Sequence, residues 1–193
     1  MSPLLRQSCT SGIEGVRRKS RPWEITPPDF FATAELVRES AGALLQSSPD
    51  NIALIPSASY GLAAAARNIR ITSGQDIIVL AEEYPSNFYI WQSLAKELNG
   101  NLITVSRPAD GDWTSQILKT ISETTGLAAL PHCHWTDGSL IDLKKIRRAL
   151  DHTNAGLVLD LTQSLGAMSF DLTTIQPDFA IAAAYKWLLG PYS

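Results

Sequence analysis

Two charged side chains in this sequence come directly after apolar runs, where they would be partly shielded from water. Lys186 follows the largely apolar segment 178–185. A desolvated lysine more readily becomes the neutral amine that forms a Schiff base with a carbonyl compound. Asp160 ends the run 156–160, and a carboxylate there needs a partner such as a protonated ring nitrogen. The alternatives are a lysine that reaches out to solvent and an aspartate that only caps a turn.

A second group of polar residues could bind an anion. Ser57, Ala58 and Ser59 precede an alanine-rich segment that is typical of a helix. Free backbone N–H groups, hydroxyl groups and the positive end of the helix dipole would together favour a phosphate there. A serine in this position also serves as an ordinary N-cap, so the pattern alone leaves both roles open.

The segment 132–138 carries two histidines and a cysteine, which invites comparison with metal sites. If the segment continued as a strand, His132 and His134 would share one face and Cys133 would lie on the other. The only other histidine is His152, and no further ligands occur at metal-like spacing. We therefore expect no metal, and favour a histidine that stacks on a ligand or forms a hydrogen bond to it.

Alternating helical and apolar segments must position these residues. Apolar residues after Pro27 and Pro28 recur with helical spacing and predict a helix over about 29–46, with Asp29 as its N-cap. Further helices are predicted over 60–68, 89–98, 114–120 and 142–150. Buried strands are predicted over 76–81, 101–106, 126–131, 156–160 and 178–183.

Strands that alternate with helices indicate an α/β domain whose mainly parallel sheet is covered on both faces. We expect right-handed crossovers and a three-layer α/β/α arrangement. Ligands bind such sheets beyond the carboxyl ends of the strands, which is where the polar residues above fall. We expect one α/β domain over 1–193, with a helical segment over 1–46 and the sheet core over 47–193.

Composition argues against several classes of protein. Hydrophobic residues make up 45% of the chain and charged residues 18%, which is typical of a globular protein. The net charge of -3 gives no general attraction to nucleic acid or to an anionic membrane. No apolar run approaches a membrane span, and the N-terminal residues lack the apolar core of a secretory signal. Two cysteines, Cys9 and Cys133, fit a reducing compartment, so we expect a cytoplasmic location.

Several segments share the order and spacing of the motifs of one enzyme family. The segment 160–163 reads Asp-x-x-Gln, and Lys186 follows Asp160 by 26 residues. His132 lies six residues before Gly138. The segment 83–92 reads Glu-x-x-x-Asn-x-x-x-Trp-Gln, and Ser57–Ser59 falls where a phosphate-binding turn would lie. This ordered set resembles the class V aminotransferase and cysteine desulfurase family of fold-type I enzymes, which depend on pyridoxal 5'-phosphate (PLP).

The resemblance implies a fold like that of the PLP-dependent transferases, with PLP as the cofactor. It implies that Lys186 holds PLP as a Schiff base and later moves a proton as acid and base. It also implies that Asp160 binds the pyridine nitrogen and that Gln163 bonds to the ring oxygen. His132 would stack on the face of the ring.

The phosphate contacts depart from the pattern of this family. The resemblance assigns the phosphate to Ser57, Ala58 and Ser59. Tyr185 stands where many members have a phosphate-binding histidine, and Ala183 stands where they often have a Ser or Thr ligand. We therefore expect Tyr185 to take part in cofactor binding in place of that histidine.

The resemblance implies an enzyme that acts on amino-acid substrates, either as a class V aminotransferase or as a lyase of the cysteine desulfurase or selenocysteine lyase type. Relatives usually run to about twice this length and generally form homodimers. We therefore expect an N-terminal half without the small C-terminal domain. A catalytically inactive truncated product that keeps the cofactor-binding half is an alternative. A Rossmann-type nucleotide-binding domain is disfavoured, because no Gly-x-Gly-x-x-Gly follows the first strand.

Overall fold

A computed structural model describes residues 2–191 of the chain. Within this range five strands form one sheet: β1 Asp76–Leu80, β2 Leu102–Val105, β3 Thr125–Pro131, β4 Gly156–Asp160 and β5 Phe179–Ile181. The α-helices in the same range are α1 Arg6–Lys19, α2 Asp29–Leu45, α3 Ala58–Asn68, α4 Ser86–Glu97, α5 Trp113–Thr120, α6 Leu143–Asp151 and α7 Leu172–Ile175.

The strands lie in the order β2-β1-β3-β4-β5, and every neighbouring pair is parallel. Pro131 at the end of β3 pairs with Asp160, and Asp160 at the end of β4 pairs with Ile181 at the end of β5. The carboxyl ends of these strands therefore meet along one edge of the sheet, as the alternation of strands and helices predicts.

Helices cover both faces of the sheet. On one face, Ile78 and Leu80 of β1 pack in a cluster with residues of α5 and α6. On the other face, Ile77 and Val79 pack with residues of α3 and α4, including the fully buried Trp91. This alternation along β1 is what a strand buried on both faces requires. The expected three-layer α/β/α fold with a parallel sheet is confirmed.

Most boundaries differ from the sequence-based expectation by one to three residues, and for two elements the structure gives a physical reason. Helix α4 begins at Ser86 rather than near residue 89, because Pro85 already has the helical dihedrals φ -49° and ψ -38°. Strand β5 is shorter than the predicted 178–183. Asp178 accepts a hydrogen bond from the backbone N–H of Leu157 through its side chain, and the N–H of Ala183 is bonded to a threonine hydroxyl group instead of a strand.

The N-terminal part of the chain contributes little to this core. Helix α1 lies within the helical segment expected over 1–46, although apolar spacing did not give its bounds, and it contains no buried residue. Its basic C-terminal turn is tied to α2 by an ion pair between Arg18 and Asp29 at 2.5 Å. The short helix α7 was not predicted. None of the helices described between residues 2 and 191 has both the length and the apolar character needed to cross a membrane.

Candidate functional site

A cavity of about 190 Å³ lies beyond the carboxyl ends of β4 and β5. Two helix N-termini, those of α3 and α4, also border it. The lining side chains are a mixture of hydroxyl groups, one lysine, one carboxylate and small apolar groups. They are Pro56, Ser57, Ala58, Ser59, Tyr84, Ser86, Asp160, Thr162, Gln163, Ala183, Tyr185 and Lys186. The cavity thus unites Lys186, Asp160, Gln163, Tyr185 and the turn Ser57–Ser59, all of which the sequence singled out.

Lys186 lies in a tight loop that follows β5. The N–H of Leu189 donates to the carbonyl oxygen of Lys186 at 3.2 Å, and the N–H of Gly190 donates to the carbonyl oxygen of Ala184 at 2.9 Å. Gly166 packs against this loop so closely that an added Cβ would lie 2.6 Å from the carbonyl oxygen of Trp187. These backbone hydrogen bonds and this close approach help to set the position of Lys186.

Asp160 forms part of the cavity floor and is only 8% exposed. Its Oδ1 accepts a hydrogen bond from the backbone N–H of Thr162 at 2.9 Å. Burial raises the pKa of the Asp160 carboxyl group, whereas the hydrogen bond from Thr162 and the positive charge of Lys186 oppose that rise. A cation placed against this carboxylate would relieve the cost of its burial.

Thr162 joins the segment after β4 to the segment after β5. Its Oγ1 accepts a hydrogen bond from the N–H of Ala183 at 3.0 Å, and both residues are buried. The N–H of Leu161 donates to the carbonyl oxygen of Ile181 at 2.7 Å. These bonds continue the pairing of the two strands past their ends. They hold Gln163 and Lys186 against the same cavity.

The turn Ser57–Ser59 opens α3. The Oγ of Ser57 accepts a hydrogen bond from the N–H of Tyr60 at 3.1 Å, so Ser57 is an N-cap, as one of the two roles proposed for it requires. The Oγ of Ser59 lies 2.6 Å from the Oγ of Ser86, which begins α4. Two helix N-termini therefore present hydroxyl groups and backbone N–H groups to one side of the cavity, which suits an anion.

His132 lies beside this cavity but is not among the residues that line it. Its backbone N–H donates to the carbonyl oxygen of Asp160 at 3.4 Å, which extends the pairing of β3 with β4. Its ring lies 6.1 Å from the ring of Phe170. Its Nδ1 is buried and has no hydrogen-bond partner among residues 2–191, and burial lowers the pKa of this imidazole. Stacking of His132 on a ligand stays a prediction.

His134 belongs to the core rather than to the cavity. It is 0% exposed and stacks on Trp113 with 4.8 Å between ring centroids. Its Nε2 lies 3.1 Å from the carbonyl oxygen of Ala81, and its Nδ1 lies 2.9 Å from the hydroxyl group of Thr136. The chain turns back after β3, so this segment is not the continuing strand considered above. Over residues 2–191, no three His, Cys, Asp or Glu side chains are grouped to hold a metal ion.

Three further polar residues line the cavity but were not proposed as binding residues from the sequence: Tyr84, Ser86 and Thr162. All three follow the carboxyl ends of strands, so their positions along the chain did contain the signal. What the sequence lacks is the direction of each side chain. Ser86 borders the cavity only because α4 begins at that residue and approaches the start of α3.

Comparison with known proteins agrees with this arrangement. The family model for class V aminotransferases matches residues 28–192. The match covers most of the chain, including every residue that lines the cavity. The chain therefore belongs to the class V aminotransferase family.

Curated relatives are about a quarter identical to this chain over the aligned residues. An uncharacterized aminotransferase of Bacillus subtilis, YcbU, is 27% identical over 81% of the chain and 41% of the relative. Kynureninase of Deinococcus radiodurans is 28% identical over 84% of the chain and 38% of the relative. A probable cysteine desulfurase of Mycoplasma genitalium is 26% identical over 84% and 40%. The chain thus spans about two fifths of the length of these relatives.

Solved structures share the fold. The apo structure of a cysteine desulfurase from Thermococcus onnurineus matches with a TM-score of 0.75 and 21% identity, over 87% of this chain and 43% of that one. The cystine C-S lyase C-DES, in complex with its product cysteine persulfide, matches with a TM-score of 0.82 and 18% identity, over 98% and 52%. A variant of C-DES has glycine covalently linked to its PLP cofactor. These similarities show a common fold.

Proposed function

We propose that this chain is the PLP-binding part of a class V aminotransferase-type enzyme that acts on amino-acid substrates through a Schiff base at Lys186. One observation carries the proposal. Lys186, Asp160 and the turn Ser57–Ser59 line a single cavity at the carboxyl edge of the sheet. The primary amine can react with an aldehyde, and the buried carboxylate can pair with a protonated pyridine nitrogen. The anion-binding turn can hold a phosphate.

The residues present fit this cofactor on physical grounds. Asp160 is buried and forms no salt bridge with any of the described residues. A pyridinium N–H would therefore stabilise its ionised form. The N-termini of α3 and α4 and the hydroxyl groups of Ser59 and Ser86 suit a phosphate group. When bound, PLP supplies an aldehyde that captures an amine and a ring that accepts electrons.

Each residue of the chain then has a separate task. Lys186 is the nucleophile and afterwards holds or moves a proton at its Nζ. Asp160 keeps a proton on the ring nitrogen, and Gln163 donates to the ring oxygen. Tyr185 lines the cavity on the side of the loop, where we expect it to contact the phosphate. His132 is proposed to pack on the ring, which would require its side chain to turn from Phe170 towards the cavity.

The reaction that follows is open between two groups of relatives. Names among the relatives include aminotransferase, kynureninase and cysteine desulfurase. We propose transamination as the first candidate and a lyase reaction of the cysteine desulfurase type as the second, because a solved cysteine desulfurase and a solved cystine C-S lyase share the fold over 87% and 98% of this chain. An inactive product that keeps only cofactor binding is the third outcome that an assay must consider.

The proposal extends to assembly and location. Large apolar side chains on α2, including Phe30, Phe31 and Leu36, are exposed and could be covered by a second polypeptide. We propose that a homodimer of the complete enzyme covers this surface. Cys9 and Cys133 are both free thiols, which supports a reducing compartment such as the cytoplasm.

A titration of the purified chain with PLP tests the cofactor assignment. We expect a visible absorbance band for the lysine adduct to grow to one equivalent of PLP. Lys186→Ala should abolish this band. Lys96→Ala, which removes an exposed lysine on α4, is the matched control and should leave the titration unchanged.

The same titration can contradict the proposal. A band of equal size in Lys186→Ala would mean that surface lysines react with PLP and that the cavity does not bind it. If the band forms normally but no amino acid is consumed, the chain is a cofactor-binding protein without turnover. If an amino acid is consumed, a keto acid as product would indicate transamination, whereas alanine or sulfide would indicate the lyase reaction.

A further inference from the structure

Glu83 is a buried acid for which the proposed chemistry has no use. It follows β1 at the same edge of the sheet as Asp160 and is 8% exposed. Its Oε1 accepts a hydrogen bond from the backbone N–H of Tyr84 at 2.7 Å. Its Oε2 is buried and has no hydrogen-bond partner among the described residues. An ionised carboxylate with one bare oxygen is costly in such a place, whereas a protonated one is not.

Asp160, which ends β4 on the far side of β3 from β1, is the charged group that acts on Glu83. The pKa of Glu83 is raised to about 7, mainly by burial and to a smaller extent by the negative charge of Asp160. The hydrogen bond from Tyr84 and the nearby Asn87 amide act in the opposite direction, although the Asn87 Nδ2 makes no hydrogen bond of normal geometry. Two carboxyl groups at this edge therefore compete for the ionised state.

The other titratable groups around this edge do not replace Asp160 in that role. His132 follows β3, the strand between β1 and β4, and its burial lowers its own imidazole pKa. Lys186, beyond β5, acts on Asp160. Glu82, next to Glu83 in sequence, is exposed and forms an ion pair with Arg107 at 2.6 Å. Asp160 is thus the charged group through which a ligand cation would change the ionisation of Glu83.

We propose that Glu83 is a positioning residue of this site, which holds a proton beside Asp160 and releases it to solvent when a pyridinium ring pairs with Asp160. The inference rests on the proposed function of the cavity. The O–H bond of the Glu83 carboxyl group breaks, its electron pair stays on the carboxylate, and the proton enters the solvent. Without the ring, only Asp160 of these two carboxyl groups is ionised. With the pyridinium ring bound, both Asp160 and Glu83 are ionised.

This exchange has a consequence for binding. The second negative charge is formed only with the cation present, so it strengthens the attraction for a protonated ring nitrogen. Binding that releases a proton becomes tighter as pH rises, by up to about tenfold per pH unit for one full proton. Glu83 therefore makes ring binding depend on pH around neutrality.

Binding of pyridoxamine 5'-phosphate to the full chain tests the inference, because this probe has the same ring and phosphate but cannot form a Schiff base. The dissociation constant is measured calorimetrically from pH 6 to pH 8 for wild type, Glu83→Gln and Glu97→Gln. Glutamine mimics the neutral acid, and Glu97 is an exposed residue of α4 paired with Arg67. We expect wild type and Glu97→Gln to gain affinity with pH relative to Glu83→Gln, and to release more protons on binding. Equal pH slopes in all three proteins would overturn the proposal.

A second measurement needs no ligand and no Glu83 variant. Carboxyl carbon-13 NMR can follow the titration of Glu83 in the wild type and in Asp160→Asn. If Asp160 holds the proton on Glu83, the midpoint falls in Asp160→Asn, and an unchanged midpoint contradicts the coupling. Failure of the probe to bind wild type at all would contradict the proposed function, and the NMR comparison would still decide whether the two carboxyl groups are coupled.

Discussion

Gly166 sets the position of the loop that carries Lys186, and replacing it tests how this loop is held. The residue has φ +97°, which L side chains rarely adopt. An added Cβ would lie 2.6 Å from the carbonyl oxygen of Trp187 and 3.1 Å from the Cδ2 of Leu188. The oxygen belongs to the backbone, so it cannot rotate away. Gly166→Ala must therefore move the loop or strain it.

The expected cost has two parts of similar size. A non-glycine residue held in this region of backbone space costs about 1–3 kcal/mol. Overpacking against a fixed neighbour adds about 1–3 kcal/mol. Gly166→Ala should therefore lower the free energy of unfolding by roughly 2–6 kcal/mol, or shift the loop and so weaken formation of the PLP adduct.

Two other glycines separate these contributions. Gly138 has φ +75° but nothing lies within 4 Å of an added Cβ, so Gly138→Ala carries only the backbone strain. Gly12 lies in α1 with an ordinary helical φ and open space around it. Gly12→Ala should be neutral, or stabilising by up to about 1 kcal/mol through helix propensity.

Urea unfolding gives the stability of all three variants, and the PLP titration gives their ability to form the adduct. We expect the loss of stability to increase from Gly12→Ala to Gly138→Ala to Gly166→Ala, with weaker adduct formation only in the last. If Gly166→Ala unfolds like Gly138→Ala and binds PLP like wild type, Trp187 does not approach Gly166, and our account of the Lys186 loop is wrong.

Three other perturbations have expected outcomes. Thr162→Val leaves the buried N–H of Ala183 without a partner and should cost about 1–3 kcal/mol in urea unfolding, whereas Thr104→Val, on the exposed side of β2, should cost less. Because the folded state raises the pKa of Glu83 from 4.5 to about 7, folded protein binds more protons than unfolded protein between these values. The stability of wild type should therefore fall with rising pH relative to Glu83→Gln, by up to about 3 kcal/mol; a parallel pH dependence in both proteins would refute the shift. Among residues 2–191, the lining of the cavity includes no arginine to bind a substrate carboxylate. An amino-acid screen of this chain with added PLP should therefore show no steady multiple turnover. A steady turnover above that of free PLP would contradict this expectation.

The sheet could be predicted from the sequence because its strands are mostly apolar runs. Every residue of β3 is buried, and such a run is typical of a parallel strand covered on both faces. The shared site of Asp160 and Lys186 follows from the same logic, since both residues come at the ends of neighbouring parallel strands. Local composition and topology together were sufficient for these features.

Other features depend on contacts between distant parts of the chain. Glu82 and Glu83 are adjacent glutamates, but Glu82 pairs with Arg107 at the surface whereas Glu83 is buried. Glu82 has a left-handed φ of +55°. His134 is a core residue because Trp113, 21 positions earlier, offers a ring to stack on. The close approach of Trp187 to Gly166 is likewise set by loops that the sequence does not place. Periodicity carries no signal for such contacts.

The central claim is that the cavity binds PLP through Lys186, and localisation of the covalent adduct tests it most directly. The full chain is incubated with one equivalent of PLP, reduced with borohydride, digested, and examined by mass spectrometry. We expect the pyridoxyl group on the peptide that contains Lys186, with little on peptides that contain exposed lysines such as Lys96. A pyridoxyl group spread evenly over the exposed lysines, with Lys186 unmodified, would contradict the claim.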